Sequence, residues 1–277
     1  MTKSIEEKYT KKDLYTHIVT LPDSYVGSLE KADAECWILE NDKIVNKEIK
    51  YVPGLYKIYD EIIVNAIDQF TRLDRDESVK NKVTTIKVNI DKKSNTISVY
   101  NNGDGMPVEI HKKEKVYVPQ MIFSMLLTSS NYDKNEKKFT GGKNGFGAKL
   151  TNIFSTEFTV ETVDAERKKK FIQKFSDNMK VIGKPTVTRC TAKPYTRITF
   201  KPDLKNFFHM DELEDDIIGL MKRRVIDMAA CTGKTVNVYL NDKKINCATL
   251  DKYVNYYFED RVEKLYSQSD NGNWEVC

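Results

Sequence analysis

The residues most able to do chemistry form a polar stripe on an otherwise amphipathic segment. Glu61, Asn65 and Asp68 stand at i, i+4 and i+7, so a helix places them on one face. A carboxylate such as that of Glu61 can act as a general base toward water. An amide oxygen such as that of Asn65 is a hard ligand for Mg²⁺, which also takes waters and substrate phosphate oxygens. The stripe therefore indicates metal-assisted hydrolysis.

A second feature is the distribution of glycine. Six of the 12 glycines fall in two groups, within 101–105 and 141–149. Glycine concentrates where the backbone takes a positive φ or approaches a ligand closely. The first group follows a predicted strand, where it would admit a flat ring. The second runs into a helix start, where backbone N–H groups, Lys143 and Lys149 can bind anions. With the polar stripe, these parts predict a site for a magnesium nucleotide triphosphate.

Two common phosphate-binding motifs do not fit this sequence. The GxxxxGK[ST] loop is absent, because Gly147 is followed by Ala148, Lys149 and Leu150. The dinucleotide fingerprint GxGxxG follows a strand, whereas the spacing here is GxxGxG after a polar loop. The nucleotide site is therefore expected to belong to another architecture.

The elements that must position these residues follow from hydrophobic periodicity. Helices are predicted at 55–70, 119–128 and 211–231, and a further helix after the second glycine group. Strands are predicted at 83–91, 96–100, 157–164, 170–175, 195–200 and 235–240, and the polar run 129–138 is predicted to be a mobile loop. This succession predicts an α+β fold.

Composition narrows the class of protein. The 277 residues carry 45 basic and 41 acidic side chains, and the net charge of +4 is too small to demand nucleic acid as a partner. No apolar run reaches the length of a membrane-spanning helix, and a membrane partner is not expected. The five cysteines form no CxxC pair and only three histidines are present, which disfavours a zinc site. The chain is expected to be soluble and to occupy a reducing compartment.

The three motifs together resemble a known family. ExxxNAxD in a helix, NNGxG after a strand and GGxNGxGAK before a helix are similar to the GHKL ATPases, which include DNA gyrase, MutL, the large heat-shock chaperones and histidine kinases. YVPGLYKIYDEIIVNA, LLTSSNYD, EKKFTGGKNGFGAKLTNIFSTEFTVET and the terminal WEVC resemble the ATPase region of the eukaryotic-type (type IIA) DNA topoisomerases, over nearly the whole chain. The resemblance implies the GHKL (Bergerat-type) two-layer sandwich: a twisted, mixed, mainly antiparallel sheet with helices on one face, and ATP between the helices and a lid.

The resemblance also implies roles for particular residues. Glu61 matches the general base that activates the attacking water, Asn65 the sole protein ligand of Mg²⁺, and Asn101 the residue that reads the adenine edge. The remaining ATP-binding positions are Ser129, Ser130 and Asn131 at the ribose and phosphates, and Gly142, Lys143, Asn144, Gly145, Phe146, Gly147, Ala148 and Lys149 in the lid. Tyr9 matches the tyrosine that an N-terminal strap delivers to the nucleotide of the partner subunit.

The domain organisation implied by the resemblance has three parts. Residues 1–28 form the strap, 29–245 the ATPase domain, and 246–277 the start of a truncated transducer domain. ATP-driven homodimerisation would close a gate through which the full-length enzyme passes duplex DNA. The enzyme would lie in the nucleus of a eukaryote, or in the host cytoplasm, viral factory or virion of a large DNA virus. The departures Gln69 for asparagine and Lys143 for arginine suit either source.

Two alternative functions stay open at this stage. The family's ATPase also uses a transducer lysine that this chain does not reach, so the chain could be a nucleotide-binding clamp with negligible hydrolysis. It could also be a related GHKL ATPase of the mismatch-repair or chaperone type, although LLTSSNYD and EKKFTGGKNGFGAK favour the topoisomerase branch. A pure DNA-binding module is disfavoured by the small net charge.

Overall fold

A computed structural model describes residues 4–5, 9–128, 145–258, 262–270 and 274–277 of the chain. The helices are α1 (Leu14–Thr20), α2 (Asp23–Val26), α3 (Pro53–Arg75), α4 (Val118–Ser124), α5 (Gly147–Ile153), α6 (Leu204–Phe208), α7 (Asp215–Thr232) and α8 (Leu250–Val254), with a 3-10 turn at Gly233–Thr235. The strands are β1 (Ala32–Glu40), β2 (Lys43–Tyr51), β3 (Thr85–Asp91), β4 (Thr96–Asn102), β5 (Ser155–Asp164), β6 (Lys169–Ser176), β7 (Val181–Ile182), β8 (Thr186–Arg189), β9 (Tyr195–Pro202), β10 (Asn237–Leu240), β11 (Lys243–Lys244), β12 (Ser267–Gln268) and β13 (Glu275–Val276).

One nine-stranded sheet forms one of the two layers of the fold. Its order is β11-β10-β3-β4-β9-β5-β6-β7, and β8 pairs with β6 beside this path. β10 runs parallel to β3, whereas the other pairs in the described part of the sheet are antiparallel. The predicted mixed, mainly antiparallel sheet is therefore confirmed.

The helices form a layer that packs against the sheet. α3 lies between α7 and α5 and is hydrogen-bonded to both. The Tyr59 hydroxyl donates to the Met221 carbonyl of α7 at 2.8 Å. The Thr151 hydroxyl of α5 donates to the Ile58 carbonyl at 2.8 Å. The apolar side of α3 is buried at Ile58 and neighbouring positions one turn apart, which excludes water from between the two layers. Helix and sheet thus form the two-layer α+β sandwich that the sequence predicts.

A hairpin of β1 and β2 lies outside this sheet and was not predicted. Asn41 and Asp42 turn the chain with φ of 49° and 63°, the left-handed values of a two-residue hairpin turn. The hairpin packs on α7 so closely that a Cβ on Gly219 would lie 3.1 Å from the Ile38 Cδ1 atom. The missed signal is the Asn-Asp pair between two runs that alternate apolar and polar residues.

Two predicted helices have different bounds in the structure. The helix predicted at 119–128 ends at Ser124, since Met125 is extended and Leu127 has a φ of 61°. The helix predicted at 211–231 begins only at Asp215, because Glu214 is extended. The hydrophobic spacing extends beyond both helices because Leu126, after the first, and Leu213, before the second, still pack in the core, although the backbone there is not helical.

The segment after residue 245, assigned from the sequence to a second domain, contacts the sandwich. The Tyr253 hydroxyl donates to the Asp227 carboxylate at 2.7 Å, and the Ile44 N–H donates to the Tyr256 carbonyl at 2.8 Å. The division at 28 and 245 stays a prediction. No helix in the described part of the chain is both long and apolar enough to cross a membrane.

Candidate functional site

The Glu61 carboxylate is held between two elements. Its side chain is 19% exposed, and its Oε1 atom forms an ion pair with the Lys57 ammonium one turn earlier on α3. On the other side lies the start of α5, where a Cβ built on Gly147 would stand only 1.9 Å from Glu61 Oε2. A side chain at position 147 would force the Glu61 carboxylate to move away from this position. The helical stripe and the second glycine group are therefore brought together at Glu61.

Asn65 lies one turn further along α3 and is exposed. Its carboxamide makes no hydrogen bond to the part of the chain that the structure describes. No group of three His, Cys, Asp or Glu side chains that could hold a metal occurs among the described residues. A single amide oxygen is compatible with Mg²⁺, which can take its other ligands from water and substrate phosphate.

Asn101 is the second-last residue of β4 and lies on the face that packs against the helices. It is only 7% exposed and continues the row of Ile97 and Val99, whereas Asn102 points to the opposite face. The Asn101 side-chain amide donates to the Asn102 carbonyl at 2.9 Å, and its Oδ1 atom accepts no hydrogen bond from the described residues. Asn102 instead binds the start of the neighbouring strand β3. Its Oδ1 atom accepts hydrogen bonds from the N–H groups of Thr84 and Thr85, each at 2.9 Å. Of the two asparagines, Asn101 is thus the one on the buried face whose side-chain oxygen has no donor among the described residues.

The glycine turn after Asn101 packs against β5, and the residues after it are hydrogen-bonded to that strand. Gly105 has a φ of 71°, and a Cβ there would lie 2.2 Å from the Val163 carbonyl oxygen. The Met106 N–H donates to the Thr162 hydroxyl at 3.0 Å, and the Val108 N–H donates to the Asp164 carboxylate at 2.8 Å. Thr162 and Asp164 were missed by the sequence analysis, and no local pattern reveals them, because their partners are 56 residues away.

The first glycine of this turn meets α3 directly. A Cβ on Gly103 would come within 2.9 Å of the Leu73 Cδ1 atom, near the end of the helix that carries Glu61 and Asn65. Turn and helix therefore approach each other as closely as a residue without a side chain allows. This contact places the Asn101 strand end beside the helix with the polar stripe.

Lys149 is buried at the base of the second glycine loop. Its ammonium donates to the carbonyls of Thr128 at 2.8 Å and Gly145 at 2.5 Å, and the residue is 3% exposed. Burial lowers the pKa of this lysine to about 8. The positive charge thus joins the two chain segments that flank residues 129–144, and its predicted contact with phosphate stays a prediction.

Phe146, just before α5, contacts the N-terminal segment. Its ring packs against Tyr25 with centroids 6.0 Å apart, and the Tyr25 hydroxyl hydrogen-bonds His17 Nδ1 at 2.8 Å. Tyr9, in the predicted strap, is 72% exposed, and its contact with a partner subunit stays a prediction. The predicted ATP-binding residues Ser129, Ser130, Asn131, Gly142, Lys143 and Asn144 lie outside the described residues.

Comparisons with known proteins agree with this arrangement. The family described as "Histidine kinase-, DNA gyrase B-, and HSP90-like ATPase" matches residues 51–206, which is more than half of the chain. The chain is 54% identical to DNA topoisomerase 2 of Pisum sativum and 52% identical to that of Acanthamoeba polyphaga mimivirus. These alignments cover 100% and 99% of this chain but 19% and 22% of the relatives, so the chain spans about a fifth of their length.

A solved structure shows the same likeness in three dimensions. The ATPase region of Saccharomyces cerevisiae topoisomerase II superimposes with a TM-score of 0.89 at 44% identity, over 98% of this chain and 70% of that one. The chain belongs to the family of histidine kinase-, DNA gyrase B- and HSP90-like ATPases, and within it to the ATPase regions of type II DNA topoisomerases.

Proposed function

We propose that this chain binds ATP together with Mg²⁺ and hydrolyses its γ-phosphate with Glu61 as the general base. The observation that carries the proposal is the position of the Glu61 carboxylate, held against the first residue of α5 where the loop of the glycine motif ends. A carboxylate fixed at the edge of a phosphate-binding loop is placed to accept a proton from water that attacks phosphorus.

The neighbouring residues supply binding and charge. Asn65 would hold Mg²⁺, which when bound neutralises negative charge on the phosphates. The Oδ1 atom of Asn101, which accepts no hydrogen bond from the described residues, would accept one from the exocyclic amine of adenine, since this acceptor lies on the buried face beside α3. Lys149 would bring a positive charge to the base of the loop. Each of these side chains binds or orients the nucleotide, and Glu61 moves the proton.

The longer protein is inferred to act on DNA. The relatives that match over the whole of this chain are named DNA topoisomerase 2, and they are about five times longer. We infer that ATP binding brings two copies of the protein together, with Tyr9 of each copy reaching the nucleotide of the other. Closure of the pair would capture a duplex for passage through a second duplex.

The test separates binding from hydrolysis. Glu61→Gln keeps the size of the side chain but removes the base, so turnover is expected to fall about 100-fold or more. Titration calorimetry with a non-hydrolysable ATP analogue and Mg²⁺ should give an affinity close to that of the unaltered chain. Hydrolysis is followed in single-turnover assays with labelled ATP, which detect slow rates. Glu48→Gln, an exposed glutamate on β2, is the matched control.

Two results would refute the assignment. Unaltered hydrolysis by Glu61→Gln would exclude this residue as the base. Unaltered Mg²⁺-dependent affinity of Asn65→Ala would exclude the metal role, because loss of the only protein ligand should weaken binding of the magnesium nucleotide. Loss of analogue binding in Glu61→Gln would instead make Glu61 a binding residue.

A further inference from the structure

The ion pair of Lys57 with Glu61 is not explained by helix stability. A lysine four residues before a glutamate is the less favourable order for an i,i+4 pair, and even the better order contributes only about 0.2–0.5 kcal/mol. Lys57 is also 46% exposed, so water screens its charge. A function other than holding the helix together should therefore be sought for this contact.

The geometry around Glu61 indicates that function. A glutamate side chain has three rotatable bonds, and fixing a side chain of this kind costs up to about 2 kcal/mol of conformational entropy. Here Lys57 contacts Oε1 while the backbone at Gly147 stands against Oε2. The two contacts involve different oxygens of the carboxylate, so together they restrict its rotation. The contact on the Gly147 side is steric and supplies no attraction, whereas the ammonium supplies one.

In the described part of the chain, two further cations, one on α7 and one on α5, have other partners. Among the described residues Glu61 forms its ion pair with Lys57 alone. Arg224 is paired with Asp60, whose carboxylate accepts a hydrogen bond from the Arg224 Nε atom at 2.6 Å. Lys149 donates to the carbonyls of Thr128 and Gly145. Arg224 and Lys149 thus each have described partners other than Glu61.

We propose that Lys57 is a positioning residue that orients the Glu61 carboxylate for proton abstraction. This inference rests on the proposed function of Glu61 as the base. Lys57 keeps one oxygen occupied and directs the other toward the water that attacks the γ-phosphate. It contacts neither nucleotide nor water in this role, so its loss should lower the rate of hydrolysis without lowering the affinity for nucleotide.

The test uses Lys57→Met, which keeps the length of the side chain and removes the charge. The single-turnover rate is expected to fall about 10-fold, which corresponds to roughly 1.4 kcal/mol in the barrier. The affinity for a non-hydrolysable ATP analogue should stay within about twofold. Lys57→Arg, which keeps the charge, should restore most of the rate. Lys47→Met removes a lysine of comparable exposure that pairs with Glu40 and Asp216 on the hairpin side, and should leave the rate unchanged.

A double substitution tests the route of the effect. If Lys57 acts through Glu61, Lys57→Met should have no further effect in the Glu61→Gln background. An unchanged rate in Lys57→Met, a loss of affinity with an unchanged rate, or an equal further loss in the Glu61→Gln background would each overturn the inference. These results leave the general base untouched, whereas full activity of Glu61→Gln alone would overturn the proposed function itself.

Discussion

Gly147 begins α5 directly against the carboxylate of Glu61, so that a methyl group at position 147 would lie 1.9 Å from Glu61 Oε2. The two residues belong to different motifs, 86 positions apart in the chain (147 − 61 = 86). Their contact joins the helix that carries the proposed base to the loop that would carry the phosphates. Movement of either element would therefore displace the carboxylate from its position.

Gly147→Ala should separate the geometry of the site from stability. Alanine is favoured over glycine in helices by up to about 1 kcal/mol. This gain offsets the cost of moving the Glu61 side chain, so the free energy of unfolding should change little. ATP turnover should fall at least about 10-fold, because the new methyl group displaces the Glu61 carboxylate. Urea unfolding and single-turnover hydrolysis measure the two quantities.

Gly233→Ala provides the opposite control. Gly233 has a φ of 61°, and a methyl group added there would have no other atom within 4 Å, so alanine strains the backbone without touching the site. Stability should fall while turnover stays unchanged. If Gly147→Ala turned over ATP at the normal rate, the contact with Glu61 would have no catalytic importance.

Lys149 should make stability depend on pH in the alkaline range. Burial lowers the pKa of Lys149 from 10.5 to about 8, so the folded chain releases this proton before the unfolded chain does. The cost of burying the charge is fully present below pH 8 and is relieved as the pH rises toward 10.5. The unaltered chain should therefore gain about 2 kcal/mol relative to Lys149→Met between pH 7.5 and 10. Urea unfolding of both proteins at the two pH values measures this difference, and a constant difference would contradict the burial effect.

Substitutions of the two adjacent asparagines of β4 should have different effects, one on nucleotide binding and the other on stability. Asn102→Ala leaves the N–H groups of Thr84 and Thr85 without their acceptor and should lower the unfolding free energy by about 1–2 kcal/mol. Asn101→Ala should instead weaken ATP-analogue binding about 10-fold and reduce the preference for adenine over guanine nucleotides. Calorimetry and urea unfolding on both variants check this. Equal affinities of the two variants for ATP would contradict the adenine-reading role of Asn101.

Tyr25 should influence hydrolysis through the packing of its ring. Tyr25→Phe keeps the ring against Phe146 and loses only the hydrogen bond to His17, so turnover should stay near normal. Tyr25→Leu removes an aromatic contact of about 0.5–1.5 kcal/mol and should lower turnover roughly threefold to tenfold, since Phe146 precedes Gly147. Tyr15→Phe, which loses a bond to the Asn178 carbonyl in the same N-terminal segment, is the control. A reduced rate in Tyr25→Phe equal to that in Tyr25→Leu would show that the hydrogen bond matters instead of the ring.

The sequence predicted the fold class and the helix of Glu61 well because both depend on local periodicity. α3 includes the predicted range 55–70 and extends to Arg75, and the central strands have nearly their predicted bounds. The contacts that position the site were not predictable in this way. Gly147 against Glu61 and Thr162 against the Met106 N–H join residues that only the folded sheet brings together. Lys57 is an intermediate case, since its spacing from Glu61 is visible in the sequence but the contact with Gly147 on the other side is not.

The parallel pairing of β10 with β3 also has a consequence for synthesis of the chain. The last residue of β3 is Asp91 and the last of β10 is Leu240, so β3 is complete 149 residues before its outer neighbour (240 − 91 = 149). At ribosomal speeds of about 5–20 residues per second, the outer edge of β3 stays unpaired for roughly 7–30 s. An unpaired strand edge can pair with strands of other chains. The risk is greater here because β3 also carries Ile86 and Val88, which are buried in the folded protein. A chaperone that covers this edge during translation should therefore raise the yield of folded protein, and versions ending before Asn237 should aggregate.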